Sequence, residues 1–207
     1  SWVQSLRDDY VGYTPSKNLK RLTFTPSHKV KSLRTFIYSK PNIKSKILSY
    51  LSFNSLVKIS STKSGFCKIK DLGWCPSNDL TKIAEKHFNI VNLARQFLHT
   101  PYYWGGRDSQ GIDCSGLIQN IMQMKNINFP RDTDMQEQFC TMSIPRSKLK
   151  AGDIVFWKGH VALMTDKKKI IHANAFHMKT QEEALAAAEK RIFKTNGKVR
   201  KYARIIN

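Results

Sequence analysis

The sequence predicts a chain of mixed helix and strand, α+β in class, and three observations carry that prediction. A glycine-rich loop at 101–116 runs into an apolar-periodic stretch. A set of short apolar segments separated by turns follows at 154–173. The first 80 residues read as short β runs punctuated by a repeated turn. At 207 residues the chain has the length of one large domain or two small ones, with ample core for at least one.

Taken in order, Gly12-Tyr13-Thr14-Pro15-Ser16-Lys17-Asn18-Leu19 recurs as Gly73-Trp74-Cys75-Pro76-Ser77-Asn78-Asp79-Leu80, an offset of 61 residues. Each copy follows a short β-like run, 2–11 in the first and 66–72 in the second. The second copy has further strands upstream at 31–38, 47–51 and 55–60, with a turn at 39–45 that contains Pro41. Almost nothing precedes the first copy, so the chain is expected to begin inside a domain. The Gly-aromatic-x-Pro ending is similar to the strand and turn that close bacterial SH3-like barrels. That likeness implies the C-terminal part of one barrel at 1–24, a whole barrel at 25–80, and a linker or short helix at 81–89.

Residues 90–99 place Ile90, Val91, Ala94, Phe97 and Leu98 at helical spacing, leading into the loop at 101. Beyond that loop Leu117, Ile118, Ile121 and Met122 mark one face of a buried helix, so Cys114 falls at or just before its N-terminus. Residues 130–136 begin another helix, with Asp132 or Thr133 as N-cap. A turn at 150–153 leads to a buried strand at 154–157. Lys158-Gly159 turns the chain into a second strand at 160–165, and Ile170-Ile171-His172-Ala173 starts a third. Thr180-Gln181-Glu182-Glu183 has the form of a capping box and predicts an Ala-rich helix with both glutamates in its first turn. Asn196-Gly197 ends that helix, and 199–206 alternate as a final edge strand.

Cys114 stands where a nucleophile would. A free thiol has a pKa of about 8.5, and the unpaired N–H groups of a first helical turn favour its thiolate. An adjacent imidazole favours it further. A lone cysteine is more often a packing residue, so a partner is needed, and His160 and His172 are the candidates. They cooperate only if they share a sheet face. The side-chain period of two then requires paired residue numbers that sum to an even value, such as Ala162 opposite His172 with His160 one diagonal step away. The loop between the strands must be odd in length, three or five residues.

Pro101-Tyr102-Tyr103-Trp104-Gly105-Gly106, Gly111-Ile112-Asp113-Cys114-Ser115-Gly116, Pro130-Arg131-Asp132, Gly152-Asp153 with Phe156, His160-Val161 and Ile171-His172-Ala173 occur in this order. Together they resemble the NlpC-type (NlpC/P60) cell-wall cysteine peptidases over about residues 90–175. The resemblance implies a papain-like cysteine peptidase core at 90–207, preceded by the SH3-like part. It implies hydrolysis of the γ-D-glutamyl to diamino acid bond of peptidoglycan stem peptides, on short free-amine turnover peptides. By position Cys114 is the implied nucleophile, His160 the base and His172 the residue that orients it. Asp113 and Ser115 flank the nucleophile where the SH3-containing members contact the substrate amine. Tyr103, Arg131 and, from the SH3-like part, Trp74 are further substrate-binding candidates. Arg131 reads equally as an ion-pair partner of Asp132 or Asp134. Cys140 reads as packing and His177 as structural or solvent-facing. No metal or organic cofactor is implied.

The formal charge of +20 invites a nucleic-acid reading, but residues 1–80 and 81–207 each carry a net +10, with only Lys167-Lys168-Lys169 clustered. A dispersed excess lacks the stripe that nucleic acid requires, so none is expected as a partner. No run of about 18 apolar residues predicts a membrane span. The N-terminal residues lack a charged head followed by an apolar stretch. Cys67, Cys75, Cys114 and Cys140 form no C-x-x-C pair and suit free thiols in a reducing, cytoplasmic compartment.

Overall fold

A computed structural model describes residues 1–21 and 24–205. The chain divides into two compact units, 1–86 and 87–207. Among the described residues no helix is long and apolar enough to cross a membrane.

The N-terminal unit is built of short antiparallel strands. β1 (Trp2–Gln4) and β2 (Val11–Tyr13) form a hairpin. They are followed by β3 (His28–Val30), β4 (Arg34–Tyr38), β5 (Ile47–Ser52), β6 (Leu56–Val57), β7 (Ile59–Lys63), β8 (Phe66–Ile69), β9 (Gly73–Pro76) and β10 (Leu80–Lys82). These make one sheet in the order β5-β4-β9-β8-β7 and another in the order β10-β3-β6. Alternation drives the packing. In β4, Thr35 and Ile37 are buried while Arg34 and Phe36 face out. Ile37 joins Val30, Val57, Cys67, Ile69, Cys75 and Leu80 in the core.

The two copies of the repeated octapeptide share one local build. Pro15 (φ −56°) and Pro76 (φ −57°) each open a 3-10 turn, Ser16–Asn18 or Ser77–Asp79, and an extended leucine follows. The fixed proline φ sets up that turn in both places. In the second copy, Asp79 ties the turn to the sheet by accepting from Ser32 and Thr35 hydroxyls at 2.5 and 2.6 Å. The expected segment 1–24 includes Leu22 and Thr23, which lie outside the described residues.

The C-terminal unit begins with α1 (Ile90–Arg95), capped by Asn89, whose side chain accepts the Asn92 N–H at 3.0 Å. The helix is shorter than the expected 90–99. At its far side His99 adopts φ +67° and its N–H bonds the Thr180 carbonyl, turning the chain toward the loop. β11 (Arg107–Asp108) and β12 (Gly111–Ile112) pair as a small hairpin. α2 (Cys114–Met124) follows and is buried along nearly its whole length. α3 (Thr133–Phe139) starts after Asp132, which makes no side-chain cap bond.

A five-stranded sheet completes the unit: β13 (Ile154–Trp157), β14 (His160–Met164), β15 (Lys169–Asn174), β16 (Lys179–Ala184) and β17 (Lys201–Ala203), in the order β16-β15-β14-β13-β17. α4 (Leu185–Asn196) lies between β16 and β17 in sequence, and Gly197, at φ +80°, ends it. Val155, Trp157, Ala162, Met164 and Ile170 form a core with Leu185, Ala188 and Ile192 of α4. α2 packs across β14 and β15.

Two expectations are corrected here. The Thr180-x-x-Glu183 segment is a strand, not the first turn of a helix. It pairs with β15 from Asn174↔Lys179 to Lys169↔Ala184, and this ladder, with Thr180 fully buried, outweighs the local capping preference. The helix starts only at Leu185, without a side-chain cap. The last strand is shorter than the expected 199–206, and Ile206 lies outside the described residues.

Candidate active site

The loop ahead of α2 is held by close backbone approach. A Cβ on Gly116 would sit 2.5 Å from the Gly106 carbonyl oxygen, and one on Gly106 would sit 2.4 Å from that of Gly111. Glycine at these positions lets the loop lie against the first turn of the helix. Asp113 is the N-cap: its Oδ1 accepts the Gly116 N–H at 2.7 Å and its Oδ2 the Gly105 N–H at 2.8 Å. The same carboxylate takes Arg131 through two nitrogens, at 3.0 and 2.6 Å, and Arg131 also donates to the Ser115 hydroxyl at 2.8 Å.

Asp113, Ser115 and Arg131 are each 6% exposed. They form a polar knot under the helix tip. Three of the residues singled out from the sequence thus come together here. Arg131 makes its buried ion pair with Asp113, 18 residues away in sequence. The Asp113 carboxylate is paired with the Arg131 guanidinium and accepts backbone N–H groups of Gly105 and Gly116. The Ser115 hydroxyl accepts from Arg131 and donates to Asp113 Oδ1 at 3.3 Å.

Cys114 opens α2 and is 6% exposed. Its Sγ lies 3.9 Å from the Thr133 hydroxyl. Burial, and then the Asp113 carboxylate, push the thiol up from its ordinary value, against N–H groups of Val161 and Ser115 and the Thr133 hydroxyl that lower it. The helix-tip charge anticipated from the sequence is therefore outweighed by desolvation, and the resting cysteine is a thiol. The bond from the Val161 N–H sets the sulfur beside the residue that follows His160.

The two histidines meet. Leu163↔Ile171 and Met164↔Ile170 pair across β14 and β15, so the numbers sum to an even value and five residues, 165–169, lie between the last paired positions. The shared face follows, with His160 Nε2 2.8 Å from His172 Nδ1 and ring centroids 5.0 Å apart. His172 is fully buried, while Trp157, opposite His160 in the β13–β14 hairpin, flanks the first ring at 5.7 Å. Burial, then His172 and Arg191, lower His160 to about 3 against an opposing Glu183. Burial lowers His172 too, although Glu183 works against it. Both rings are neutral at neutral pH.

Two residues that the sequence did not single out belong here. Glu183 accepts from His172 Nε2 at 2.7 Å and is clasped by Arg191 at 2.7 and 2.5 Å. Burial would raise this carboxylate, but Arg191 and His172 overcome it and hold it down at about 2. Arg191 in turn carries the Phe176 ring, 4.4 Å from guanidinium to centroid. Tyr102 is the second. Burial, then Cys114 and Asp113, push its phenol up to about 12, so it stays protonated near the sulfur.

Tyr103, the expected contact, is 67% exposed and lines a separate hollow with Arg107, Asp108 and Gln110. The adjacent tyrosine is the one that faces the imidazoles, across a cavity of about 450 Å³ whose walls include Trp104, Asn174, Phe176 and Arg191. Trp74 belongs to the N-terminal unit, paired with Lys68 and Tyr38, with Lys68 Nζ 5.9 Å from its ring centroid. Cys140 is buried, and His177 is tied to the Asn174 side chain at 3.0 Å.

Among the described residues, His172, His177 and Glu183 bring possible ligand atoms within 4.8 Å of one another. With Arg191 on both oxygens of Glu183, a cation there would face a guanidinium. The hydrogen-bonded arrangement satisfies these groups without one.

Residues 99–196 match the model of the NlpC/P60 family, so the C-terminal unit carries an NlpC/P60 core. Over 100 residues the chain is 36% identical to a protein named dipeptidyl-peptidase 6 from Lysinibacillus sphaericus, covering 45% of this chain and 37% of that one. Over 194 residues it is 25% identical to a γ-D-glutamyl-L-lysine dipeptidyl-peptidase from Bacillus cereus, covering 80% and 57%. The chain thus spans 37% and 57% of the length of these two curated relatives. A crystal structure of an NlpC/P60 family protein from Bacillus cereus superposes with a TM-score of 0.79 over 98% of this chain and 73% of that one. A second, NlpC2 from Trichomonas vaginalis, gives 0.51 over 87% and 72%. At 22% and 21% identity these likenesses speak to the fold alone.

Proposed function

We propose that the protein is a cysteine peptidase acting on peptidoglycan stem peptides, which cuts between γ-D-glutamate and the diamino acid of short turnover peptides with a free amine. The observation that carries this reading is a thiol at a helix tip that accepts the N–H of Val161, the residue next to His160, with His160 hydrogen-bonded to His172, within a segment that matches NlpC/P60. Relatives named for γ-D-glutamyl-L-lysine dipeptidyl-peptidase activity support the substrate class. Recycling of wall peptides in the cytoplasm is part of the same proposal. So is the reading of residues 25–80 as an SH3-like barrel, with Trp74 as its substrate contact.

The chemistry is acyl transfer to water. Sγ of Cys114 attacks the γ-carbonyl carbon as its proton passes to His160, so that two neutral groups become charged only as the bond forms. The oxyanion is met by the Cys114 backbone N–H, with the protonated Tyr102 hydroxyl as a second donor. Collapse breaks the C–N bond, and His160 returns its proton to the leaving amine. Water, deprotonated by the same ring, then cleaves the thioester, releasing the glutamyl acid and restoring the thiol.

The test is to incubate the protein with L-Ala-γ-D-Glu-diaminopimelate, free and N-acetylated, beside Cys114→Ala, and to read the products by mass. Cleavage of the free form alone supports the recycling reading. Cleavage of both forms makes the protein a wall endopeptidase. Cleavage of neither, with ligand still retained, makes it a binding protein. Transfer to an added amine in place of water makes it an acyltransferase.

A further inference from the structure

The mechanism uses His160 as base and His172 as its support, but it leaves open which nitrogen of each ring carries the proton. The two contacts beyond His160 decide this. At one end, Glu183 lies 2.7 Å from His172 Nε2. An ionised carboxylate only accepts, so Nε2 of His172 must be the donor. The ring is buried and neutral, so its Nδ1 then carries a lone pair. That Nδ1 stands 2.8 Å from His160 Nε2, which must therefore donate. Nδ1 of His160 is left bare, and on the cysteine-peptidase reading it is the nitrogen that takes the thiol proton.

We infer that Glu183, clasped by Arg191, is a positioning residue that fixes the tautomer of both imidazoles and so selects Nδ1 of His160 as the catalytic base. The inference rests on the cysteine-peptidase reading for its consequence, but its geometry does not depend on the substrate. β16 pairs Glu183 with Ile170, so the carboxylate comes to the face that carries His172, one diagonal step away. Arg191 reaches the same carboxylate from α4, one residue before the core residue Ile192. Phe176 packs on the guanidinium from the loop between β15 and β16. Glu183 is thus held by two elements and a ring, and it never needs to touch substrate.

The titratable and charged groups facing the histidine pair from neighbouring elements are Glu183 of β16, Arg191 of α4, His177 of the β15–β16 loop and Tyr102 across the cavity. Of these, Glu183 is the anion that meets a ring nitrogen. A neutral side chain at 183 removes the constraint. His172 can then carry its proton on Nδ1 and donate to His160 Nε2. That puts the His160 proton on Nδ1, and the nitrogen assigned to take the thiol proton is no longer a base. A triad with a wrong tautomer keeps its shape and loses its rate.

The experiment combines histidine ¹⁵N NMR of the whole chain with kinetics on the stem peptide, for wild type, Glu183→Ala and Glu183→Gln. Ring signals are assigned through single His→Gln variants. Wild type is expected to show protonated Nε2 and bare Nδ1 on both His160 and His172. In Glu183→Ala both rings are expected to shift toward protonated Nδ1. The kcat should fall at least about tenfold and KM should change by less than about threefold. Glu183→Gln keeps the shape and an acceptor oxygen, and is expected to lie between. It also supplies the reading if the alanine variant does not fold.

Unchanged tautomers in the folded variants overturn the inference, as does a kcat loss with no tautomer change. If wild type cleaves no stem peptide yet the tautomers shift as stated, the peptidase reading fails and the positioning role stands.

Discussion

At the scale of single residues, the place of Cys114 at a helix tip and the shared face of His160 and His172 were legible because their spacing encodes a geometry. Cys114 follows a glycine loop at the head of an apolar-periodic stretch, and the even-sum rule for His160 and His172 made a shared face checkable before any coordinates. Arg131 was legible as an ion-pair former but not in its partner, because Asp113 lies 18 residues away in sequence and local pairing offered nearer carboxylates. Breaking that buried pair with Arg131→Met leaves the Asp113 charge uncompensated. It should cost about 3–5 kcal/mol in urea unfolding, and a loss below about 1 kcal/mol would remove the knot from the account. The histidines make a second prediction at this scale. His160 has a pKa lowered from 6.5 to about 3, so between those values the unfolded chain binds a proton that the native chain does not. Stability therefore rises with pH across that window and falls on acidification. The urea midpoint should drop between pH 7 and pH 4, more steeply in wild type than in His160→Gln. Equal slopes in the two proteins would contradict the lowered pKa of His160.

At the scale of elements, strands at 154–157, 160–164 and the start of 169–174 were readable from short apolar runs bounded by turns. The 180–184 strand was not. Thr180-x-x-Glu183 ahead of an alanine-rich stretch satisfies the local rule for a helix start, and only pairing with β15 reveals it as an edge strand. That misreading also hid Glu183, since a first-turn glutamate points to solvent whereas a strand glutamate opposite Ile170 points at His172. Tyr102 was hidden in a similar way. In Pro101-Tyr102-Tyr103 the choice of tyrosine depends on which one the loop turns inward. The first turn of α2 carries its own prediction. Gly116→Ala would set a methyl 2.5 Å from the Gly106 carbonyl oxygen, backbone that cannot rotate away. The variant should lose both thermal stability and turnover. An unchanged melting curve would mean that the loop is looser than its contacts indicate.

At the scale of the whole molecule, the chain divides into a β-built unit at 1–86 and a mixed unit at 87–207. The octapeptide repeat and the change from β runs to helix at residue 90 gave the sequence its outline of that division. The side chains proposed to carry the chemistry, Cys114, His160, His172, Glu183 and Tyr102, all belong to the second unit. A sheet order of β16-β15-β14-β13-β17 sets the two histidine strands side by side, with the glutamate strand next to them. That order follows from long-range pairing, which local sequence does not encode. The central claim is that the sulfur of Cys114 attacks the γ-D-glutamyl carbonyl with His160 as base. The rate of cleavage of the γ-D-glutamyl–diaminopimelate bond, compared between wild type and folded Cys114→Ala, tests it most directly. The account predicts a fall on the order of 10⁴-fold or more, and a Cys114→Ala protein that still cleaves within about tenfold of wild type would contradict it.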